Sequence, residues 1–465
     1  MGFSVTNEKK IVIIGCGASG GTAAQFARKT NRKASITIFE KGNYSQYSKC
    51  GLPYVVSGDI STFDELIEFS EEWFTKNNID LFLGATVEAI DSQKRMIIAR
   101  IGTKQIKKEY DSLIIATGAS ASIPPIQNIS KKGKLLEGVF TLRTIKDGGN
   151  IISRFKKGNN VTIVGAGLIG LEMVDSLYKK GMNITLVEAL PHILPNNLDE
   201  DMCEPILEEM KGKITIYVHH LVIKTEEKDG AIKKVIIKDI KTNKEEKISS
   251  DMVIIAAGTQ PETTLAEQIG CNIGKTKGIV VDENSETSVK NVYAVGDCTE
   301  YKDIVTKDPC LVGLGSIGVR QGIAAGTTTA GGKYSLPEGF LFTRTSEIFG
   351  VEIAAVGPVK DNLQKIPVIY GKIKGSSLPN YFPGGKPIMM KVGIHEETGV
   401  ILSAQAIGPN ASQRINTMAC AIQNNVTVDD FKKMETAYAP PIAPTLDVLT
   451  LVCDVASLKR IRKRR

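Results

Sequence analysis

The chain has 465 residues, 42% of them hydrophobic and 23% charged, with a formal net charge of +7. That size and balance suit about three packed globular domains, and no run of ~18 apolar residues offers a membrane-spanning helix. The polar lead into Ile11-Val12-Ile13-Ile14 lacks the basic start, apolar stretch and cleavage site of a signal peptide, so the cytosol is the expected compartment.

The first element is Ile11-Val12-Ile13-Ile14-Gly15-Cys16-Gly17-Ala18-Ser19-Gly20. A β-branched run enters a Gly-x-Gly-x-x-Gly loop, and a helix is predicted over Thr22 to Lys29. A second strand, Ser35 to Phe39, closes on Glu40 and Lys41. Gly15 permits the turn, Gly17 lets the backbone approach a pyrophosphate, and Gly20 lets helix and strand pack. The helix N-terminus offers free N–H groups to phosphates, and a carboxylate at Glu40 can accept from ribose hydroxyls.

The same unit recurs about 150 residues later. Strand Asn160 to Val164 leads into Gly165-Ala166-Gly167-Leu168-Ile169-Gly170, a helix to about Lys180, and a strand ending at Glu188. One glycine loop alone is weak evidence, whereas two complete strand–loop–helix–strand–acid units specify two dinucleotide-binding folds. Glu188 suits a ribose 2′-OH and repels a 2′-phosphate. Ala189, Leu190 and Pro191 follow without an arginine, so NADH is favoured over NADPH, with His192 leaving NADPH open.

Two strands end in small residues, at Ala116-Thr117-Gly118 and at Ala256-Ala257-Gly258. Val292 to Val295 ends in Gly296-Asp297, where a carboxylate could take a cofactor hydroxyl, and Gly315 to Gly326 reads as a helix. From Leu336 the pattern changes to strands (352–356, 387–394 and 399–407) and then helices (411–424 and 428–433), an α+β unit. The closing Lys459-Arg460-Ile461-Arg462-Lys463-Arg464-Arg465 is expected to be a solvated, frayed end. The eight cysteines show no Cys-x-x-Cys or zinc-finger spacing, so no metal site is expected.

These motifs, in this order and spacing, resemble the pyridine nucleotide–disulfide oxidoreductase superfamily along nearly the whole chain. The resemblance implies an α/β fold class with two Rossmann-like domains and a C-terminal α+β dimerisation domain. The divisions are 1–120 with 259–334 for a split FAD domain, 121–258 for the NAD(P)H domain and 335–465 for the interface. It implies FAD on the first fold, with Glu40 on its ribose and Asp297 on its ribitol. NAD(P)H would lie on the second, with Glu172 near the nicotinamide.

Cys50, in Ser48-Lys49-Cys50-Gly51-Leu52-Pro53-Tyr54, is the candidate redox centre. Dithiol members carry a second cysteine five positions on, where this chain has Val55, and a late His-Glu pair, where it has Tyr438-Ala439-Pro440-Pro441. A lone cysteine of this kind resembles a branch containing coenzyme A–disulfide reductases, NADH oxidases, NADH peroxidases and persulfide reductases. A neighbouring cation can lower the Cys50 thiol pKa, and Lys49 is expected to do so where its side chain turns toward the sulfur. The peroxidases and water-forming oxidases place a histidine in the first glycine loop, where Ala18 and Ser19 stand here. Reduction of a small disulfide or persulfide is therefore the leading reading, with coenzyme A as a candidate substrate or mixed-disulfide partner. Peroxide-forming NADH oxidation is its rival, and redox sensing through a partner protein is a reading of another class. By the resemblance, Tyr438 and Tyr381 of a homodimer reach the partner's cysteine as proton donors. Arg28, Lys29 and Arg32 could meet the phosphates of a coenzyme A-like substrate. The branch often has Asn before the cysteine and an aromatic residue in the second glycine loop, where this chain has Lys49 and Leu168.

Overall fold

The computed structural model describes residues 9–464. Its first sheet is parallel, in the order 292–294, 112–115, 10–14, 35–39 and 79–82. Every residue from Ile11 to Ile14 is buried, as expected of a strand covered on both faces. The sheet is thus completed by a strand that lies beyond the second glycine unit in sequence. The helix after the first loop is longer than predicted, Ala18–Thr30. It packs on helix Gly315–Thr329 across Gly322 and Gly326, where a Cβ would strike the Ser19 and Ala23 carbonyls. That close approach sets the second helix behind Gly296-Asp297.

The second parallel sheet runs 139–140, 252–255, 160–164, 183–187 and 215–217. Its central pair aligns Ile163 with Leu186, matching Ile13 with Ile38 in the first sheet. The two folds are joined by an antiparallel link, Ala119–Ala121 with Thr259–Pro261. The Thr117 hydroxyl adds a 2.6 Å bond to the Glu262 carbonyl.

The third sheet is antiparallel, in the order 344–348, 351–356, 401–407, 387–395 and 368–376. Helices Ala411–Gln423 and Val448–Arg464 pack on it. It grips the second fold through Lys391, whose Nζ lies 2.6 Å from Asp199 Oδ2 and 2.7 Å from Asp201 Oδ1. Arg344 adds a 2.9 Å bond to the Asn197 carbonyl.

The basic tail departs from its expectation. Residues 459–464 form the last turns of helix Val448–Arg464 instead of fraying, all but Arg460 being exposed as expected, and Arg465 lies outside the described residues. Arg460 Nε donates to the Glu396 carbonyl at 3.0 Å, and its Nη1 meets Asp429 Oδ2 at 2.8 Å. Lys463 pairs with Glu396 at 2.6 Å. The backbone turn at Glu396 and Glu397 thus supplies acceptors that charge counting cannot reveal. Among the described residues no helix is long and apolar enough to cross a membrane.

Candidate active site

The two glycine loops are built alike. Gly15 and Gly165 have φ of +102° and +103°, a region that favours glycine. A Cβ on either would enter the carbonyl of Ala116 or Ala256. Gly17 and Gly167 face open space, with no protein atom within 4 Å of an added Cβ. Each loop therefore presents bare backbone to an approaching phosphate. Gly20 and Gly170 sit against the carbonyls of Gly15 and Gly165. Ala18 and Ser19 open the first helix, and Leu168 and Ile169 the second.

Each acid closes back on its own loop. Glu40 Oε2 accepts from Cys16 N at 2.6 Å and its Oε1 from Gly42 N at 2.7 Å. Glu188 Oε2 accepts from Ala166 N at 2.6 Å and its Oε1 from Leu190 N at 2.8 Å. These bonds fix the carboxylates beside the loops, where they could meet ribose hydroxyls. Lys41, next to Glu40, is exposed. Gly118 and Gly258 end their strands with no protein atom within 4 Å of an added Cβ.

Asp297 carries a partner that the sequence reading missed. Arg143 Nη2 lies 2.9 Å from Asp297 Oδ2 and 3.0 Å from the Ala119 carbonyl. The Arg143 Nε is buried without a hydrogen-bond partner. A buried unpaired donor is costly, so an acceptor supplied by a bound anionic cofactor would complete this guanidinium. No spacing motif marks Arg143. It precedes the Thr144–Asp147 capping box that starts helix Ile145–Ile152, and Asp147 accepts from its backbone N–H. Ser19 and Gly296 also meet here, since a Cβ on Gly296 would abut the Ser19 hydroxyl. The open loops, the two acids and the orphaned Arg143 Nε fit two nucleotide cofactors.

Cys50 lies in the short turn Lys49–Gly51 that leads into helix Leu52–Ser57. It is a free, exposed thiol, although enough protein lies around it to disfavour its charged form. That enclosure pushes its pKa up, reinforced by the carboxylates of Glu172 and Asp297, while Arg143 opposes them. The structure therefore corrects the expectation that Lys49 lowers the thiol pKa. Lys49 is not among the groups that shift Cys50, and its own ammonium is held below the ordinary lysine range, first by the desolvation of its surroundings and then by Arg143.

Glu172, which the resemblance places near the nicotinamide, is also one of the carboxylates that raise the Cys50 pKa. Enclosure raises its carboxyl pKa, and a hydrogen bond from Ser346 opposes that rise. The four histidines stand elsewhere. His192 and His220 bond the carbonyls of Ile193 and Val218, and His395 accepts from Glu397 N and Thr398 N.

Tyr381 and Tyr438 lie together at the surface, 69% and 47% exposed, with their hydroxyl oxygens 2.5 Å apart. Neither is among the groups that shift Cys50 of the same chain. Arg28 is not available to a substrate phosphate: its guanidinium donates to the carbonyls of Asn77, Asn78 and Arg32. Lys29 stands over the Phe26 ring at 4.6 Å, and Arg32 is exposed.

Comparison with known proteins agrees with this architecture. Residues 9–322 match the pyridine nucleotide-disulphide oxidoreductase family, and residues 345–448 match the dimerisation domain of the same family. The chain is a member of the pyridine nucleotide-disulphide oxidoreductase family, and an oxidoreductase of the class that uses FAD and NAD(P)H. It is 36% identical to an NADH oxidase of Methanocaldococcus jannaschii, over 98% of this chain and 100% of that one. It is 34% identical to the CoA-dependent NAD(P)H sulfur oxidoreductase of Pyrococcus abyssi, over 96% and 98%. The structure of a NAD-dependent persulfide reductase from A. fulgidus superposes with a TM-score of 0.92 at 29% identity, covering 97% of this chain and 84% of that one.

Proposed function

We propose that this protein is a homodimeric FAD enzyme that uses NADH to reduce a small disulfide or persulfide, of the coenzyme A type, at Cys50. The observation that carries it is one free, exposed thiol acted on by Glu172 of the second fold and by the Asp297–Arg143 ion pair that joins the two folds. Cys50 has Ser45 and Val55 at the positions five residues to either side, so it works without a neighbouring thiol. The sulfur chemistry named for the Pyrococcus abyssi and A. fulgidus proteins supports the same reading.

In this reading Gly15 to Gly20, Glu40, Thr117 and Asp297 hold FAD on residues 1–120 with 259–334. Gly165 to Gly170, Glu172, Glu188 and Gly258 hold the nicotinamide cofactor on residues 121–258. Residues 335–465 form the dimer contact. FAD supplies the two-electron relay between NADH and the thiol. The Cys50 thiolate attacks one sulfur of the substrate, forming a mixed disulfide while the outer sulfur leaves with the bonding pair. Tyr438, paired with Tyr381, gives the leaving thiolate its proton in the dimer. Two electrons from NADH then free the second thiol, so NADH, one proton and one disulfide yield NAD⁺ and two thiols. Glu188, without a basic residue at positions 189–191, favours NADH.

The test is anaerobic reduction by NADH, followed by coenzyme A disulfide, a persulfide, peroxide and oxygen as separate oxidants. Native enzyme is expected to form a long-wavelength thiolate-to-flavin band and to be reoxidised fastest by the sulfur substrates. Cys50→Ser should lose that band and its disulfide turnover. Undiminished disulfide reduction by the variant would overturn the proposal. The Methanocaldococcus jannaschii match favours NADH oxidation by oxygen as a second reading. Rapid oxygen consumption by Cys50→Ser would favour it.

A further inference from the structure

Three parts of the chain converge on one serine. Ser346 lies on strand Arg344–Ile348 of the C-terminal sheet and is only 8% exposed. Its Oγ donates to Glu172 Oε1 at 2.8 Å, and Ser346 and Glu172 are both among the groups that act on the Tyr54 phenol. Glu172 lies on helix Leu168–Lys179 of the second fold, and Tyr54 on helix Leu52–Ser57, directly after Cys50. These two helices are themselves locked together. Ser176 Oγ donates to the Pro53 carbonyl at 2.9 Å and to the Glu172 carbonyl at 2.7 Å.

We propose that Ser346 is a positioning residue, whose hydroxyl ties the C-terminal domain to the reacting thiol by holding the Glu172 carboxylate on the helix locked to the one that follows Cys50. The physical basis is the fixed position of the acceptor. A carboxylate in an enclosed site needs a donor to stay charged, and Ser346 is the hydroxyl whose bond to it favours the charged form. With that bond in place, a negative charge faces the thiol and restrains its ionisation. The groups facing Cys50 are Glu172, Asp297 and Arg143. Those facing Tyr54 are Glu172, Ser346, Glu347 and Lys179. Ser346 is thus the uncharged member of the cluster that can set the state of Glu172 without itself adding charge. This inference deepens the reading of Cys50 as the reacting thiol, which the Cys50→Ser experiment tests separately.

The test is peptide-resolved alkylation of Cys50 in the holoenzyme by iodoacetamide, from pH 6 to 10, in native protein and in Ser346→Ala, Ser346→Thr and Glu172→Gln. Alkylation follows the thiolate fraction. Without its donor the Glu172 carboxylate is no longer held in place, so less negative charge acts on the thiol. The Cys50 profile is then expected to move to lower pH in Ser346→Ala, with a severalfold faster rate near neutrality. Ser346→Thr keeps the hydroxyl and should retain the native profile, which also guards against a fold defect in the alanine variant. Glu172→Gln should move the profile in the same direction, and adding Ser346→Ala to it should do nothing more. A native profile in Ser346→Ala while Glu172→Gln is shifted would overturn the proposal. So would a native profile in Glu172→Gln, or an additive effect in the double variant.

Discussion

The phenolic oxygens of Tyr381 and Tyr438 stand 2.5 Å apart on the exposed face of the C-terminal domain. The hydrogen bond shared with Tyr438 raises the Tyr381 pKa, so Tyr381 stays protonated at neutral pH and has a proton to give. Tyr438→Phe removes the shared bond, and the Tyr381 phenolate should then appear at lower pH in an ultraviolet titration. If the pair protonates the leaving thiolate, disulfide turnover should fall roughly 10²-fold. Anaerobic flavin reduction by NADH should be unchanged. An equal loss in both half-reactions would assign the tyrosines to packing.

Arg143 ties the link between the two folds to Asp297, with its side chain 17% exposed. Arg143→Met is expected to lower the apoprotein's stability by about 1.5–3 kcal/mol, the usual worth of a hydrogen bond to a charged group, and to reduce retained FAD. It also removes the cation that opposes the upward shift of Cys50. The thiol pKa should therefore rise further, and Cys50 alkylation at a fixed pH of 8 should slow. A faster alkylation would mean that Lys49 or another cation governs the thiol. Thermal denaturation, flavin absorbance and alkylation rate check the three outcomes.

Both nucleotide folds were legible because glycine loops and closing acids act locally. Gly15, Gly17, Gly20 and Glu40 sit within one strand–helix–strand unit, and so do Gly165, Gly167, Gly170 and Glu188. The environment of Cys50 was not legible. The charged groups that act on it, Arg143, Glu172 and Asp297, come from three distant stretches, and the residue next to it, Lys49, is not among them. The tail misled for a related reason: Arg460 finds carbonyls and Asp429 that only the fold delivers. Ser346 carries no motif, and only its strand position shows what it holds.

Glu188 is buried, and both its oxygens accept backbone N–H groups. A 2′-phosphate would bring like charge against that fixed carboxylate. Glu188→Ser combined with Ala189→Arg is expected to raise the ratio of kcat/KM for NADPH over NADH about tenfold or more, equivalent to ~1.4 kcal/mol. Initial rates of anaerobic flavin reduction by each nucleotide measure it. An unchanged ratio would show that selectivity lies outside this loop.

Arg460 tests whether the basic C-terminus is a structural staple or a docking surface. Its side chain is 11% exposed, and its guanidinium joins helix Val448–Arg464 to the Glu396–Glu397 turn and to Asp429. Arg460→Met should therefore destabilise the protein by about 1.5–3 kcal/mol, because Asp429 and two backbone carbonyls lose a donor at once. Asp429 is held below the usual carboxylate range first by Ser457, with Lys432 and Arg460 adding to it. A depressed carboxylate contributes stability above its unfolded pKa and loses it as pH falls through the folded one. The gap between native and variant melting temperatures should accordingly be full at pH 7 and narrow on acidification below about pH 4. Turnover per folded enzyme should be native in the variant. A loss of turnover without a loss of stability would place Arg460 in substrate or partner binding instead.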